Sequence, residues 1–335
     1  MSLPPLSING HPNGNSHSDS GRSAHSYDGA ESLPSTSAHP NGHSYSDPPF
    51  SNHNEDVVNH LYHIGFQTGN YADTILHVYQ KPYRLHAIIL SRSPFLAHLM
   101  STSPQGNGQR AIYLNLEQDP EITEEGLAIA LGYLYSAISL TLIRPENARA
   151  VLAAGCLLGG MDELCHRAYE TCRRSISVES IGSWLEFIDV IPSVGEDGTP
   201  SEVPPPTVFG TYVQRLRDDV FHFLVVTLPG VLDMHGSQED VANGPSGRDI
   251  LLQVFSLVPF EMFKAAIESP TFQIGSDRAR FTFAKDAIEL RKRGIARGAG
   301  SEETVVLAFG GNNFGGSAVH VTRKLRKRPL WKVNS

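Results

Sequence analysis

The chain has 335 residues, 40% of them hydrophobic, which is enough for two domains of ordinary size and a tail. Its formal net charge of −8 is uneven, since residues 1–55 hold one basic and five acidic side chains and residues 278–335 hold thirteen basic and four acidic ones. An acidic body with a basic end argues against a nucleic-acid-binding domain, and three cysteines without a CxxC pair argue against a disulfide framework and indicate a reducing compartment.

Residues 1–55 are rich in Ser, His, Asn and Gly and contain few aliphatic side chains. Such a segment cannot bury enough apolar surface to offset the entropy of ordering, so we predict a disordered leader. Its first residues lack the basic and apolar regions of a signal peptide, so a cytoplasmic or nuclear location, or both, is expected. The uncharged stretch 126–143 approaches the length of a membrane span, but its Ser, Thr and Tyr content favours a buried helix and then a strand at 139–143.

Ordered structure is predicted to begin near Glu55, with a short helix whose apolar stripe consists of Val57, Leu61 and Ile64. Residues 73–79 alternate as a strand does, with Thr74, Leu76 and Val78 on one face. We predict a turn at Lys81-Pro82, a returning strand at 83–85, and a helix at 86–92 with Ile88, Ile89 and Leu90 inside. Pro94 is predicted to start the next helix.

A polar loop at 101–109 precedes a predicted strand at 111–116. Thr123, followed by two glutamates, predicts an N-cap and an acidic first turn for a helix of about three turns that ends near Tyr135. The spacing after residue 146 is helical, and the predicted helices are 147–158, 161–175, 180–190, 208–228 and 248–267. Residues 191–207, rich in Pro, Gly and acids, are a predicted insertion, and a second loop is predicted at 233–247. Residues 276–335 form a predicted C-terminal segment with short strands at 304–309 and 318–322 around a glycine-rich turn.

Two sequence passages identify a family. Tyr83-Arg84-Leu85-His86-Ala87 leads from a strand into a helix, and Leu90-Ser91-Arg92-Ser93-Pro94-Phe95-Leu96 leads from that helix into the next. With Asp73 before the first strand, Ile112-Tyr113-Leu114, and the helix from Leu127 to Tyr135, this order resembles the BTB/POZ domain family. The resemblance covers residues 56–145 and implies an α+β fold, a small mixed sheet with flanking helices. The mostly helical residues 146–275 are similar to a BACK-type extension, and the whole chain is similar to fungal-type BTB proteins.

The resemblance implies a homodimer, whose interface would include Val57, Leu61, Ile64, Asp73, His86, Ile89 and Leu90. It also implies that the surface of the third helix contacts a cullin-type ubiquitin ligase scaffold, through Ile122, Glu124, Leu127 and Tyr135. The chain departs from the family pattern at two places. Ala87 stands where a Lys is common, and residues 136–139 replace the Thr-Gly and nearby acid of many cullin-docking members.

The sequence contains no recognisable catalytic or cofactor motif, because GxSxG, Walker A, HExxH and GxGxxG patterns are all missing. We therefore expect neither an enzyme nor a bound cofactor, and we interpret His86 and Asp73 as structural. Cys165 and Cys172 lie seven residues apart, but a zinc site would need further ligands, so all three cysteines are interpreted as small buried side chains and no metal is expected.

The basic run near the end contains Arg323, Lys324, Arg326, Lys327 and Arg328. It fits a nuclear import signal or a contact with an acidic partner, and it fits equally a solvated strand edge that discourages aggregation. The leading hypothesis is a self-associating adaptor that recruits an unknown protein substrate to a cullin-type ubiquitin ligase, with no membrane or nucleic-acid partner. The alternative is a dimeric nuclear regulatory or scaffold protein with no role in ubiquitin transfer.

Overall fold

The computed structural model describes residues 50–103, 109–189, 208–232, 246–272, 274–295, 302–309 and 319–326. A unit with a three-stranded mixed sheet and flanking helices comes first, and a mostly helical region follows. The predicted α+β fold class is confirmed.

The first helix starts inside the predicted leader. Helix α1 spans Phe50–His60 and continues as a π-helical segment at Leu61–Phe66. Its first turns are Ser, Asn and His, a polar composition that is typical of loops and that hides a helix from pattern reading. The predicted boundary near Glu55 is therefore too late.

The sheet has the order β2-β1-β3, formed by Thr74–Val78 (β1), Lys81–Leu85 (β2) and Arg110–Tyr113 (β3). Strand β1 is antiparallel to β2 and parallel to β3, and it buries the predicted face. Tyr79 and Gln80 form the hairpin turn, with φ of 49° and 64°. The predicted turn at Lys81-Pro82 was wrong, because both residues already pair with β1, and Pro82 is tolerated because β2 is an edge strand of this sheet.

Three helices flank the sheet: α2 at Ala87–Leu90, α3 at Pro94–Thr102 and α4 at Glu124–Tyr135. The predicted starts of α3 and α4 are confirmed. The Ser93 hydroxyl accepts the Leu96 N–H at 3.2 Å, and the Thr123 hydroxyl accepts the Gly126 N–H at 3.1 Å.

Residues Ala137–Leu142 form a 3₁₀ helix, so the predicted strand at 139–143 was wrong. The Ser136 hydroxyl accepts the Ile138 N–H at 3.2 Å, which begins a helical turn directly after α4. No strand of the described sheet lies beside this segment to receive it.

The helical region contains α5 at Ala148–Leu158, α6 at Asp162–Arg174, α7 at Ile181–Asp189, α8 at Tyr212–His222, α9 at Leu228–Val231, α10 at Gly247–Leu257 and α11 at Phe260–Glu268. The segment predicted as one helix over 248–267 is two helices. Pro259 favours an extended conformation for the preceding Val258, whose ψ is 132°, and so ends α10.

The C-terminal part contains a helix that the sequence analysis missed. Helix α12 spans Asp277–Ile295 and buries Phe283, Ala284, Ala287 and Ile288 at helical spacing. Strands β4 (Glu302–Phe309) and β5 (Val319–Arg326) pair as an antiparallel hairpin. The predicted strands are confirmed, whereas most of the glycine-rich turn lies outside the described residues.

Candidate protein-interaction surface

The sheet unit exposes four apolar side chains on α1, on α2 and on the segment before β1. They are Val57 at 44%, Val58 at 37%, Tyr71 at 90% and Ile88 at 79% exposure. We call them the α1–α2 surface. Single exposed apolar residues are ordinary in soluble proteins, so the significance of this set depends on what holds it in place.

Asp73 fixes the start of α2, the helix that carries Ile88. One carboxylate oxygen, Oδ1, accepts the Ala87 N–H at 2.7 Å and the Thr74 hydroxyl at 3.0 Å. An acceptor at the first N–H of a helix satisfies a donor that has no intrahelical partner, and a negative charge there also interacts favourably with the helix dipole. The predicted structural role of Asp73 therefore has a definite geometry.

His86 joins α2 to the core through three hydrogen bonds. Its backbone N–H donates to the Tyr135 hydroxyl at 2.9 Å, and its Nδ1 lies 3.0 Å from the same oxygen. Its Nε2 lies 2.9 Å from the Asn70 carbonyl oxygen, which can only accept. Nε2 therefore carries the proton, and the Tyr135 hydroxyl donates to Nδ1 while it accepts from the backbone. All groups in this network are satisfied.

The Tyr135 hydroxyl is buried, and like an ordinary tyrosine hydroxyl it is protonated at neutral pH. Burial raises the pKa of Tyr135 to about 12, the hydrogen bond from the His86 backbone lowers it in part, and the nearby Asp73 carboxylate raises it. The hydroxyl can therefore donate to the imidazole of His86.

The π-helical continuation of α1 packs against the same network. A Cβ added to Gly65 would lie 3.5 Å from the His86 ring, and the Phe66 and Tyr135 rings lie 5.2 Å apart between centroids. Tyr71 directly follows Asn70, whose carbonyl accepts from His86. The network thus holds the start of α2 and contacts the π-helical segment and the residues before β1, so Ile88 and Tyr71 lie next to restrained residues.

The residues predicted for the dimer interface divide into three groups by burial. Val57 and Asp73 are exposed, whereas Leu61, Ile64, His86 and Ile89 are half-buried. Leu90 is fully buried in the core, so it cannot contact a partner, and its assignment to the interface was wrong. Ile88, predicted to lie inside, points outward instead, since α2 has only four residues and buries Leu90.

The residues predicted for cullin binding are mostly interior. Ile122, Leu127 and Tyr135 are buried, and α4 packs against α5, the 3₁₀ helix, the π-helical segment and α2. These three assignments were wrong as direct contacts. Glu124 is exposed, and its carboxylate forms an ion pair with Lys81 at 2.5 Å.

The outer side of α4 borders an open groove of about 450 Å³. Its lining comes from the π-helical segment, α4 and the 3₁₀ helix, and includes Tyr62, Phe66, Ile129 and Leu142. Glu125 lies at its rim, and its carboxylate bonds to Arg144 at 2.6 Å and to the Asn147 amide at 2.9 Å. These bonds, that of Asn147 first, lower the pKa of Glu125. No pattern in the sequence indicates this groove, because its lining comes from three separate elements.

Three residues of the basic run, Arg323, Lys324 and Arg326, belong to β5, whereas Lys327 and Arg328 lie outside the described residues.

Among the described residues, no group of three or more His, Cys, Asp or Glu side chains is arranged to hold a metal ion. None of the described helices combines the length and apolarity that a membrane crossing requires.

No protein-family model matches the chain. The chain is similar to the BTB/POZ domain-containing protein 2 of Schizosaccharomyces pombe, with 28% identity over 282 residues, which cover 82% of this chain and 90% of the yeast protein. It is also similar to Germ cell-less protein-like 2 of Homo sapiens (28% identity over 131 residues) and to Germ cell-less protein-like 1 of Homo sapiens (30% over 122 residues). These two matches cover 39% and 36% of this chain and only 24% and 23% of the human proteins.

The mixed sheet, the order of the motifs and these relatives agree on one class, that of proteins built on a protein-interaction domain. The sequence motifs and these relatives support a BTB/POZ family protein. Its likeness to the yeast protein extends well beyond the sheet unit into the helical region, because 282 matched residues exceed that unit several-fold.

Proposed function

We propose that this protein is an interaction adaptor that self-associates through the α1–α2 surface. The observation that carries the proposal is Ile88, which is 79% exposed on a helix fixed by Asp73 and His86. A large apolar side chain held in place loses little freedom on association, so its burial against a second copy contributes most of its transfer free energy. Val57, Val58 and Tyr71 are the other exposed apolar side chains that we assign to this surface.

The test is a paired substitution of exposed residues, Val57→Asp with Ile88→Asp, in the full chain. Two carboxylates in an apolar interface should raise the dimer dissociation constant by roughly 100-fold or more, because each would have to be desolvated. Light scattering after size exclusion should give a monomer mass, with an unchanged circular dichroism spectrum.

Leu257→Asp is the matched control, since Leu257 is 64% exposed but lies on α10 in the helical region. It should leave the dimer intact. A dimer that persists in the paired variant would show that self-association uses another surface, and a monomeric unmodified chain would remove the proposal altogether.

A cullin-type scaffold is the partner that we propose for this dimer, and the groove beside α4 is the surface that supports it. Leu142 is 45% exposed at this groove, with the Glu125–Arg144 ion pair beside it. An apolar floor with a charged rim matches the general anatomy of protein interfaces. The full chain should co-purify with a cullin N-terminal domain, and Leu142→Asp should weaken this retention at least about 10-fold while Leu257→Asp does not.

A dimer that ignores the cullin would favour the alternative, a dimeric nuclear regulatory or scaffold protein. The basic run supports that alternative. Nuclear accumulation that disappears when Arg326, Lys327 and Arg328 are replaced together would favour it further, whereas accumulation that persists would count against it.

A further inference from the structure

Two cysteines of the helical region lie side by side. Cys156 is on α5 and Cys165 is on α6, and their sulfur atoms are 4.0 Å apart. The helices cross closely here, because a Cβ added to Gly155 would lie 2.9 Å from the Cys165 sulfur. Spacing along α6 pairs Cys165 with Cys172, whereas the turn between α5 and α6 brings Cys156 to Cys165 instead.

The two thiols differ in their surroundings. Cys156 is half-buried, whereas Cys165 and Cys172 are buried. The Cys156 sulfur also lies 3.7 Å from the Phe209 carbonyl oxygen. The hydrogen bond between the two thiols lowers the pKa of Cys156 and raises that of Cys165, so Cys156 is the more nucleophilic thiol. Because Cys156 is half-buried and Cys165 is buried, Cys156 is also the more accessible of the two.

We propose that Cys156 and Cys165 form a reversible disulfide when the protein meets a hydroperoxide. The Cys156 thiolate attacks the peroxide oxygen, the O–O bond breaks, and Cys156 becomes a sulfenic acid as hydroxide or alkoxide leaves. The Cys165 thiol then attacks the sulfenic sulfur, the S–O bond breaks, and water leaves with the Cys165 proton. The peroxide is reduced by two electrons and the thiol pair is oxidised by two, and a dithiol reverses the change by exchange.

The disulfide requires the sulfur atoms to approach from 4.0 Å to about 2.0 Å. Cys156 then leaves the Phe209 carbonyl, which starts the chain segment that leads into α8. Oxidation is therefore expected to act locally on the contact between the α5–α6 pair and α8.

The experiment treats the full reduced chain with hydrogen peroxide, blocks the remaining thiols with an alkylating agent and identifies the linked peptides by mass spectrometry. The expected product is a Cys156–Cys165 peptide that dithiothreitol separates, formed at a rate independent of protein concentration. Cys172→Ala should give the same product, and Cys165→Ala should leave a sulfenic acid on Cys156 that dimedone traps.

Three products would overturn the proposal. They are a Cys165–Cys172 link, a link between two chains through Cys156, and Cys156 carried to the sulfinic acid while Cys165 is still a free thiol. A chain whose thiols all remain alkylatable after peroxide treatment would overturn it as well. In the unmodified chain Cys172 should stay alkylatable after peroxide treatment, which separates a specific pair from general oxidation of an unfolded chain, in which Cys172 would react too.

Discussion

Replacing Gly126 with alanine is expected to lower the free energy of unfolding by about 1–3 kcal/mol, because α4 and α5 cross without room for a side chain. A Cβ at Gly126 would lie 2.6 Å from the carbonyl carbon and 2.7 Å from the carbonyl oxygen of Ala150. Both atoms are backbone, so no flexible side chain can move aside, and α5 itself must shift. Urea unfolding of the full chain measures the loss.

Gly182→Ala is the matched control. Gly182 lies in α7, and a Cβ there would meet no heavy atom within 4 Å. Alanine restricts the unfolded chain more than glycine does, so this variant should gain about 0.4–1 kcal/mol. Equal behaviour of the two variants would mean that the close crossing of α4 and α5 does not limit stability.

Replacing Tyr135 with phenylalanine should have an effect of similar size and should also weaken self-association. The substitution leaves the His86 backbone N–H without its acceptor and His86 Nδ1 without its donor. Each unsatisfied group in a part-buried site costs about 1–3 kcal/mol, although partial exposure of the imidazole reduces the second cost. The start of α2 loses a restraint, so Ile88 is held less firmly and the dimer dissociation constant should rise.

Tyr133→Phe provides the comparison on the same helix. The Tyr133 hydroxyl donates to a Glu163 carboxylate oxygen at 3.1 Å on the exposed side of α4, where water can replace it. Its loss should change the free energy of unfolding by no more than about 0.5 kcal/mol. Unfolding and sedimentation equilibrium of the two variants would test both effects, and matching values for them would refute a special role for Tyr135.

Local patterns in the sequence predicted the sheet unit well, because each of its elements has a short-range cause. Alternation sets the buried face of β1, Ser93 and Pro94 start α3, and Thr123 starts α4. These causes act within four residues along the chain and are therefore visible in the sequence.

The errors arose where distant packing decides the outcome. Leu90 is buried and Ile88 is exposed because of the way in which the four-residue helix α2 packs against α4. The sequence within four residues of α2 does not show which side of α2 faces α4. The Tyr135 hydroxyl bonds to His86, 49 residues earlier in the chain, and no local pattern indicates that contact. The partner of Cys165 likewise follows from the crossing of α5 and α6, whereas spacing along a single helix suggested Cys172.

The parallel pairing of β1 with β3 has a consequence for how the protein is made. Thr74 in β1 pairs with Leu85 in β2, and only a two-residue turn separates these strands in the sequence. Thr74 also pairs with Arg110 in β3, but β2, α2 and α3 lie between β1 and β3 in the sequence. The hairpin can therefore close early, whereas the other edge of β1 waits for a non-local contact. During synthesis that edge has unpaired N–H and C=O groups until Tyr113 has emerged, a period in which strands of neighbouring nascent chains can add to it.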